Sequence, residues 1–527
     1  MPPSDRWVSR EQVRPLFYFC AFGIVGNLLL GGAAGPGFFS DVLLQLLSLP
    51  LLIAALWRIA STPASRNVRR VLWFCAAIAV LPLAQLVPLP PVVWTRMPGR
   101  ETAVESLGLI GRDLPWAPIN MSPSGGWLSA LSLIPPLSVF LGVLLLDHRE
   151  RRNLSLVLLC VGIISVFIGL MQVTRGLSSP LWFSELLTPG EAVGFFLNRN
   201  HFAALLYSLI PLAAAWVASG AGDIMSHAHG RSEKFDTRVI VTSVAGFVVI
   251  VALIAGVLMA RSRAGVILTI VALFGALALA NRSQRAAKVA PVRLKLGAAA
   301  VAIVFSLQFA LYRVLERFEG DPLADTRIAI SRDTIEAAMA LLPFGAGEGA
   351  FVPVYAMFQK PHDMVANAYI NHAHNDFLQT WLESGLAGPI LIGAFAIWFV
   401  LTSVKVWRHS YVEGLAIDRS LSRASTLVVA LLAAHSLVDY PLRTGAMMAV
   451  VAFACALLQP PFPSVVAPAE VRDPNEIRDA ARERHHNDRD RRVAGASALA
   501  ESAPLPSRPI RADSQEPFEW PKEWRKP

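Results

Sequence analysis

Two histidines, two asparagines and an aspartate crowd into the six residues Asn371-His372-Ala373-His374-Asn375-Asp376, immediately ahead of a long apolar segment. Histidine takes up and releases protons near neutrality. Set against a hydroxyl, it acts as a general base. A second polar group, Asn198-Arg199-Asn200-His201, heads another apolar run, and a third, Arg261-Ser262-Arg263, is a tight link between two such runs. Arg327 and Arg332 lie in the polar stretch that precedes the histidines. Arginine offers a planar fork of donors matched to phosphate oxygens and keeps its charge at any relevant pH. Together these residue types suit transfer from a phosphate leaving group: arginines stabilise the charge growing on the phosphate while a histidine deprotonates the attacking hydroxyl.

The elements that must position these groups are membrane helices. The 527 residues are 54% hydrophobic and only 16% charged, with a mean hydropathy of +0.49. A soluble domain carries about 25% charged residues, and about 20 apolar residues span a bilayer. An all-α polytopic membrane protein is expected. Twelve spans are read, approximately at Leu16–Ala34, Asp41–Leu56, Val71–Val87, Trp127–Leu146, Leu154–Gln172, His201–Ser219, Val239–Ala260, Ala264–Ala280, Leu296–Tyr312, Phe377–Val404, Ala424–Leu437 and Arg443–Leu458. Helix breakers interrupt two of them, at Pro135-Pro136 and at Gly385/Gly388-Pro389. The four cysteines lie in apolar runs without metal-type or disulfide spacing and read as packing residues.

Alternate connections are short and rich in Lys and Arg, among them Arg66, Arg69 and Arg70, then Arg149, Arg151 and Arg152. The positive-inside rule places these and the N-terminus in the cytoplasm. The other side then carries the long connections, the largest at 313–376 between spans nine and ten. Within it, Ala324–Leu342 reads as an amphipathic helix with Ile328, Ile335, Ala338 and Leu342 on one face. All the polar clusters fall on that outer side, where arginine is disfavoured and needs a reason. The domain plan is a membrane domain at 1–458 and a polar tail at 459–527. The tail lacks the apolar residues for a core and is expected to be disordered in the cytoplasm. From Pro461 it holds 12 basic and 12 acidic residues, so the net charge of +9 belongs to the membrane part. Orienting loop arginines explain that charge better than nucleic-acid binding does.

A lipid-linked diphosphate, its chain in the bilayer and its phosphates at the interface, is a ligand that would give the outer arginines a purpose. Neither a metal nor a cofactor is expected. Plainer readings stand beside this one. Arg261 and Arg263 also suit interfacial anchoring, Arg327 suits an ion pair with Asp325 or Asp333, and His201 suits packing at a helix start. Asn375 or Asp376 suits a helix cap. His435 and Asp439 form a weaker polar pair that could serve only each other.

At these residues the chain resembles the O-antigen ligase and polymerase superfamily of bacterial membrane glycosyltransferases. Asn198-Arg199-Asn200-His201-Phe202-Ala203 is similar to that family's Asn-x-Asn-His-Phe-Ala element, and Ser262-Arg263-Ala264-Gly265 to its Ser-Arg-Gly element. Leu342 to Phe351 resembles its glycine-rich Pro-x-x-Gly-x-Gly-x-Gly-x-Phe run, and His374-Asn375-Asp376-Phe377-Leu378-Gln379 its His-Asn-x-x-Leu-Gln element. The elements stand in family order between about Trp127 and Leu458. One departure is that the family's Arg-x-x-x-Leu spacing, counted from Arg263, lands on Ile267. That leaves the choice between Arg261 and Arg263 open.

The resemblance implies a twelve-span fold whose large loop closes over a periplasmic site in the bacterial inner membrane. It implies glycan transfer from undecaprenyl diphosphate without a nucleotide sugar or an essential metal. His374, Arg263 and Arg327 take the catalytic roles. Asn198, Arg199, Asn200, His201, Arg261, His372, Asn375 and Asp376 are the candidate substrate contacts. The expected function is O-antigen ligase-like transfer to a hydroxyl acceptor such as lipid A–core. The alternatives are extension of a growing carrier-bound glycan by a polymerase, protein O-glycosylation and, more distantly, secondary transport.

Overall fold

A computed structural model describes residues 14–32, 39–61, 66–176, 179, 191–227, 237–284, 322–364, 370–408 and 415–462. The ninth expected span, the first part of the large loop and the tail beyond 462 lie outside them. The described residues belong to the unit Met1–Pro463.

The described elements are helical apart from one two-residue ladder. In chain order they are α1 Arg14–Leu30, α2 Phe39–Ala60, α3 Arg66–Gln85, β1 Pro88–Leu89, α4 Pro91–Trp94, α5 Glu101–Leu109, β2 Ala117–Pro118, α6 Pro123–Ser132, α7 Ile134–Leu144, α8 His148–Arg175, α9 Arg199–His227, α10 Thr237–Met259, α11 Arg263–Gln284, α12 Pro322–Ala340, α13 Phe351–Phe358, α14 Asp376–Ser384, α15 Ala387–Arg408, α16 Ala416–His435 and α17 Gly445–Leu457. The strands pair antiparallel, Pro88 with Pro118 and Leu89 with Ala117.

Among the described residues, seven helical stretches are long and apolar enough to cross a membrane: Phe39–Ala60, Val68–Gln85, Pro123–Leu144, His148–Arg175, Arg199–Ser219, Arg263–Asn281 and Ala387–Arg408. Each falls on an expected span. The first, seventh and twelfth expected spans correspond to shorter apolar helices, Pro15–Leu30, Val244–Met259 and Gly445–Leu457. The eleventh corresponds to α16, whose first turns carry Asp418, Arg419 and Arg423. Both expected interruptions are present. Leu133 separates α6 from α7, with Pro135 and Pro136 opening the second piece, and Gly385 ends α14 before α15 begins.

Large apolar side chains stand exposed on the outer helices, including Trp57, Trp73, Phe274, Ile390 and Ile397. Apolar patches of this extent do not face water in a soluble protein, and helices apolar all round belong in lipid. Buried at the centre is α9, packed against α10, α11 and α16. Away from the site, buried Arg151 donates to the carbonyls of Val143 (3.0 Å), Leu144 (2.8 Å) and Gln459 (2.7 Å). It thereby closes the C-terminal ends of α7 and α17, where the helix dipole favours a cation. Arg152 meets Asp418 at 2.9 Å and joins the heads of α8 and α16.

The helix expected in the large loop exists as α12, but its inward face differs. Ile330, Asp333, Thr334, Ala337, Ala338 and Leu341 are buried, whereas Ile328 and Ile335 are exposed. Packing against Phe351, Tyr355, Ala346 and Leu382 selects that stripe over the one hydrophobicity marks.

Candidate active site

Two local sequences shape the site first. Asn375 caps α14: its Oδ1 accepts from the Leu378 amide (3.0 Å), and its Nδ2 donates to the Leu437 carbonyl (2.9 Å). Ser262 opens α11 by accepting from the Gly265 amide (3.0 Å). Each cap adjoins a residue held in the left-handed region, His374 and Arg261, both at φ 51°. Among the described residues these are the two non-glycine residues with positive φ. Such conformations are unfavourable outside glycine and gather where function demands them.

His374 presents Nδ1 to Asp439 Oδ1 at 3.2 Å. Its side chain is 25% exposed and that of Asp439 only 2%. Asp439 is also held by the Tyr440 amide, on Oδ1 at 3.0 Å, and by Asn200 Nδ2, on Oδ2 at 2.6 Å. Burial alone would raise the Asp439 carboxyl. The His374 hydrogen bond and the neighbouring histidines outweigh burial and hold it well below the usual carboxylate range. An ionised Asp439 can only accept, so His374 Nδ1 donates. The Nε2 lone pair is then left as the available base.

Tyr440 is the centre of a ring cluster. His372 lies over it at 4.3 Å, while His374 (4.9 Å) and His201 (5.0 Å) meet it edge-on. Burial, and then the charge of Asp439, push its hydroxyl up to about 12. Asn198, Arg327 and Asn371 act on it in the opposite direction. Arg327 of α12 is therefore within electrostatic reach of the histidine cluster. The ion pair expected for Arg327 with Asp333 is instead made by Arg332, which bonds Asp333 at 3.0 Å and also Asp363.

The structure thus brings His374, His372, His201, Asn198, Asn200 and Arg327 to one place, with Ser262 linking Arg263 of the arginine turn to them. Several of these residues are committed to the protein itself. Both ends of the Asn200 amide are used, since Oδ1 accepts from Ser262 Oγ at 2.8 Å. Both ends of Asn375 are used as well. Arg199 pairs with Glu191. His372 donates to Gln379 Oε1 at 3.2 Å. His201 is fully buried, and among the described residues neither ring nitrogen has a hydrogen-bond partner. Arg261 and Arg263 are exposed at the turn. His435 and Asp439 do not serve only each other: His435 Nδ1 meets Tyr207 Oη at 2.8 Å, and Asp439 serves His374 and Asn200.

A second polar group escaped the sequence reading. Arg443, in the short turn Pro441–Arg443, donates to Glu383 Oε2 at 2.7 Å and to Thr380 Oγ1 at 3.2 Å. It also lies 3.7 Å from Asp376 and 4.0 Å from Glu348. Asp376 is therefore part of this group rather than of the histidine cluster. Its Oδ2 also accepts from Ser436 Oγ at 2.7 Å. Three carboxylates face one guanidinium. Burial and the nearby Glu383 push Glu348 up to about 7, against the pull of Arg443, and burial pushes Asp376 up to about 6.

These residues line one end of a largely apolar cavity of about 570 Å³, walled by Phe74, Ile78, Phe395 and Phe399 among others. The glycine-rich turn forms another part of the wall. Its amides close the end of α14, with Ala346 and Gly347 donating to the Leu382 (2.9 Å) and Glu383 (2.8 Å) carbonyls. A Cβ on Gly349 would stand 2.4 Å from the Gly125 carbonyl oxygen, and one on Gly345 would stand 2.4 Å from the Gly385 amide nitrogen. Both glycines also have positive φ, which glycine alone adopts without cost. Among the described residues no group of three His, Cys, Asp or Glu is arranged to hold a metal ion.

The raised carboxyls make stability depend on pH. The folded chain keeps protons on Glu348 and Asp376 that the unfolded chain loses near pH 4, so their contribution to stability falls as pH rises from about 4 to about 7. Asp439 acts oppositely, and only below that window. The thermal midpoint of Glu348→Gln, measured against wild type, should therefore rise as pH rises across the window. A variant whose midpoint falls relative to wild type across that window would contradict the cluster's electrostatics.

Residues 248–393 match the family model described as O-Antigen ligase. This match supports the O-antigen ligase superfamily for the chain. The matched stretch holds Arg261, Arg263, Arg327, Glu348, His372, His374 and Glu383. Asn200, Asp439 and Arg443 lie outside it. No match was found among curated proteins. The match supports ligase- or polymerase-type glycosyl transfer with a lipid-linked glycan and a glycan acceptor.

Proposed function

We infer that this protein transfers a polysaccharide from undecaprenyl diphosphate to a hydroxyl of an acceptor such as lipid A–core, at the periplasmic face of the inner membrane. The observation that carries this reading is the His374–Asp439 pair, joined through Asn200 and Ser262 to the arginine turn. The acceptor oxygen attacks the anomeric carbon as its proton passes to His374 Nε2. The bond from that carbon to the diphosphate oxygen breaks, and the diphosphate leaves with the electron pair. Buried Asp439 stabilises the imidazolium that forms. Arg263 and Arg327, with Arg261 beside them, hold the diphosphate and stabilise its growing charge.

Replacing Arg263 or Arg327 by alanine should lower transfer by about 10²- to 10³-fold, whereas Arg261→Ala should cost less. The assay is carrier-linked glycan consumption in membranes that hold equal amounts of each variant. Normal transfer by both Arg263→Ala and Arg327→Ala would remove the diphosphate assignment. A deletion strain separates the acceptors. Full-length glycan stranded on the carrier means ligase, and single repeat units stranded there mean polymerase. Unglycosylated protein means protein glycosylation, and unchanged glycans return the chain to transport.

A further inference from the structure

A hydrogen-bond chain leads from the head of α11 to His374, and every proton in it has a forced direction. The Gly265 amide can only donate, and it donates to Ser262 Oγ at 3.0 Å. The Ser262 hydroxyl proton is thereby free to go to Asn200 Oδ1, 2.8 Å away. With its oxygen so engaged, Asn200 turns its NH₂ toward Asp439 Oδ2 at 2.6 Å. The far end imposes the same direction. A carboxylate can only accept, and an Asn200 turned the other way would set its carbonyl oxygen against the carboxylate in a buried site. The remaining oxygen of Asp439 receives His374 Nδ1–H at 3.2 Å.

We propose that Asn200 and Ser262 are positioning residues that fix the His374 proton on Nδ1, so that Nε2 is kept as a proton acceptor and the base stays in register with Arg263, which follows Ser262 directly. This rests on the proposed glycosyl transfer only for its kinetic consequence. Asn200 was expected to touch substrate. With Oδ1 and Nδ2 both engaged, it acts through Asp439 instead.

The consequence of losing the link follows from burial. Without the Asn200 amide, Oδ2 of a carboxylate that is 2% exposed loses its strongest donor. The carboxylate stays ionised but loses its anchor, and it turns to satisfy Oδ2 elsewhere. Turned away, it no longer accepts from His374 Nδ1–H, so nothing holds the ring proton on Nδ1; the ring populates the Nε2–H form and loses its base.

The test is ¹⁵N NMR of histidine-labelled full-length protein in lipid nanodiscs at pH 7.5, with His374→Gln to assign the signal. Wild type should show His374 as the Nδ1–H form. Asn200→Leu and Asn200→Ala should move a large fraction to the Nε2–H form, and Ser262→Ala a smaller one. Asn200→Ala removes volume and adds none, so it carries the test if the leucine variant does not fold. In membranes, the asparagine variants should lose about 10- to 100-fold in kcat with donor KM unchanged. A wild-type His374 in the Nε2–H form, or an Asn200→Ala variant that stays wholly Nδ1–H, overturns the proposal. The expected spectra together with no glycan transfer by wild type would leave the chain standing and overturn the functional reading instead.

Discussion

Asp439→Asn is expected to lower kcat about 10³- to 10⁴-fold while leaving donor KM and folding near wild type. The replacement has nearly the same shape but reverses the polarity of one end. Asn200 Nδ2 still demands an acceptor, so the new amide must turn its oxygen there and its NH₂ toward His374. The ring then accepts at Nδ1 and carries its proton on Nε2, the wrong tautomer for a base. A tautomer error of this kind costs about 10⁴-fold in the Ser-His-Asp template. The check is glycan transfer in membranes at saturating carrier-linked donor. An Asp439→Asn variant within threefold of wild type would remove Nε2 as the proton acceptor.

The second large effect is on stability. Arg443→Leu leaves Glu383, Glu348 and Asp376 without their shared counter-charge. Removing one partner of a buried ion pair costs about 3–5 kcal/mol. Here the loss should be greatest at neutral pH and smaller near pH 5, where Glu348 and Asp376 take up protons. Melting of the full chain in detergent at both pH values reads this directly, and Arg443→Leu with Glu383→Gln should recover part of the loss. An Arg443→Leu midpoint equal to wild type at pH 7.5 would show that the cluster does not hold the fold together.

Much of this architecture can be read from the chain, because membrane helices announce themselves by hydrophobicity and the chemistry by local groups such as His374-Asn375-Asp376. What hydrophobicity could not supply was partner choice. The inward face of α12 is set by Phe351, Tyr355 and Leu382, so Ile328 and Ile335 misled. Asp439 looked like a partner for His435, four residues away, yet its carboxylate reaches His374 and Asn200. The Arg443 cluster assembles groups that share no spacing. A signal was nonetheless present. Glu383 fell inside an expected membrane span, and an ionisable group there calls for a partner. Arg443, at the head of the last span, was the cation to try.

Glu348 and Glu383 are also stitched to Gln85 of α3, whose side chain donates to the Glu383 carbonyl across 298 residues and accepts from the Glu348 amide. Their counter-charge, Arg443, comes almost at the end of the described membrane helices. During synthesis the early helix must therefore wait for the middle of the chain, and both must wait for the end. Contacts so distant in sequence form late and slowly. Until residue 443 emerges, the acidic wall of the cavity has no cation to settle against. A ribosome-stalled or truncated chain would carry the arginine turn, the histidines and the glycine-rich loop without a finished site. The finished candidate site and the last helix thus arrive together.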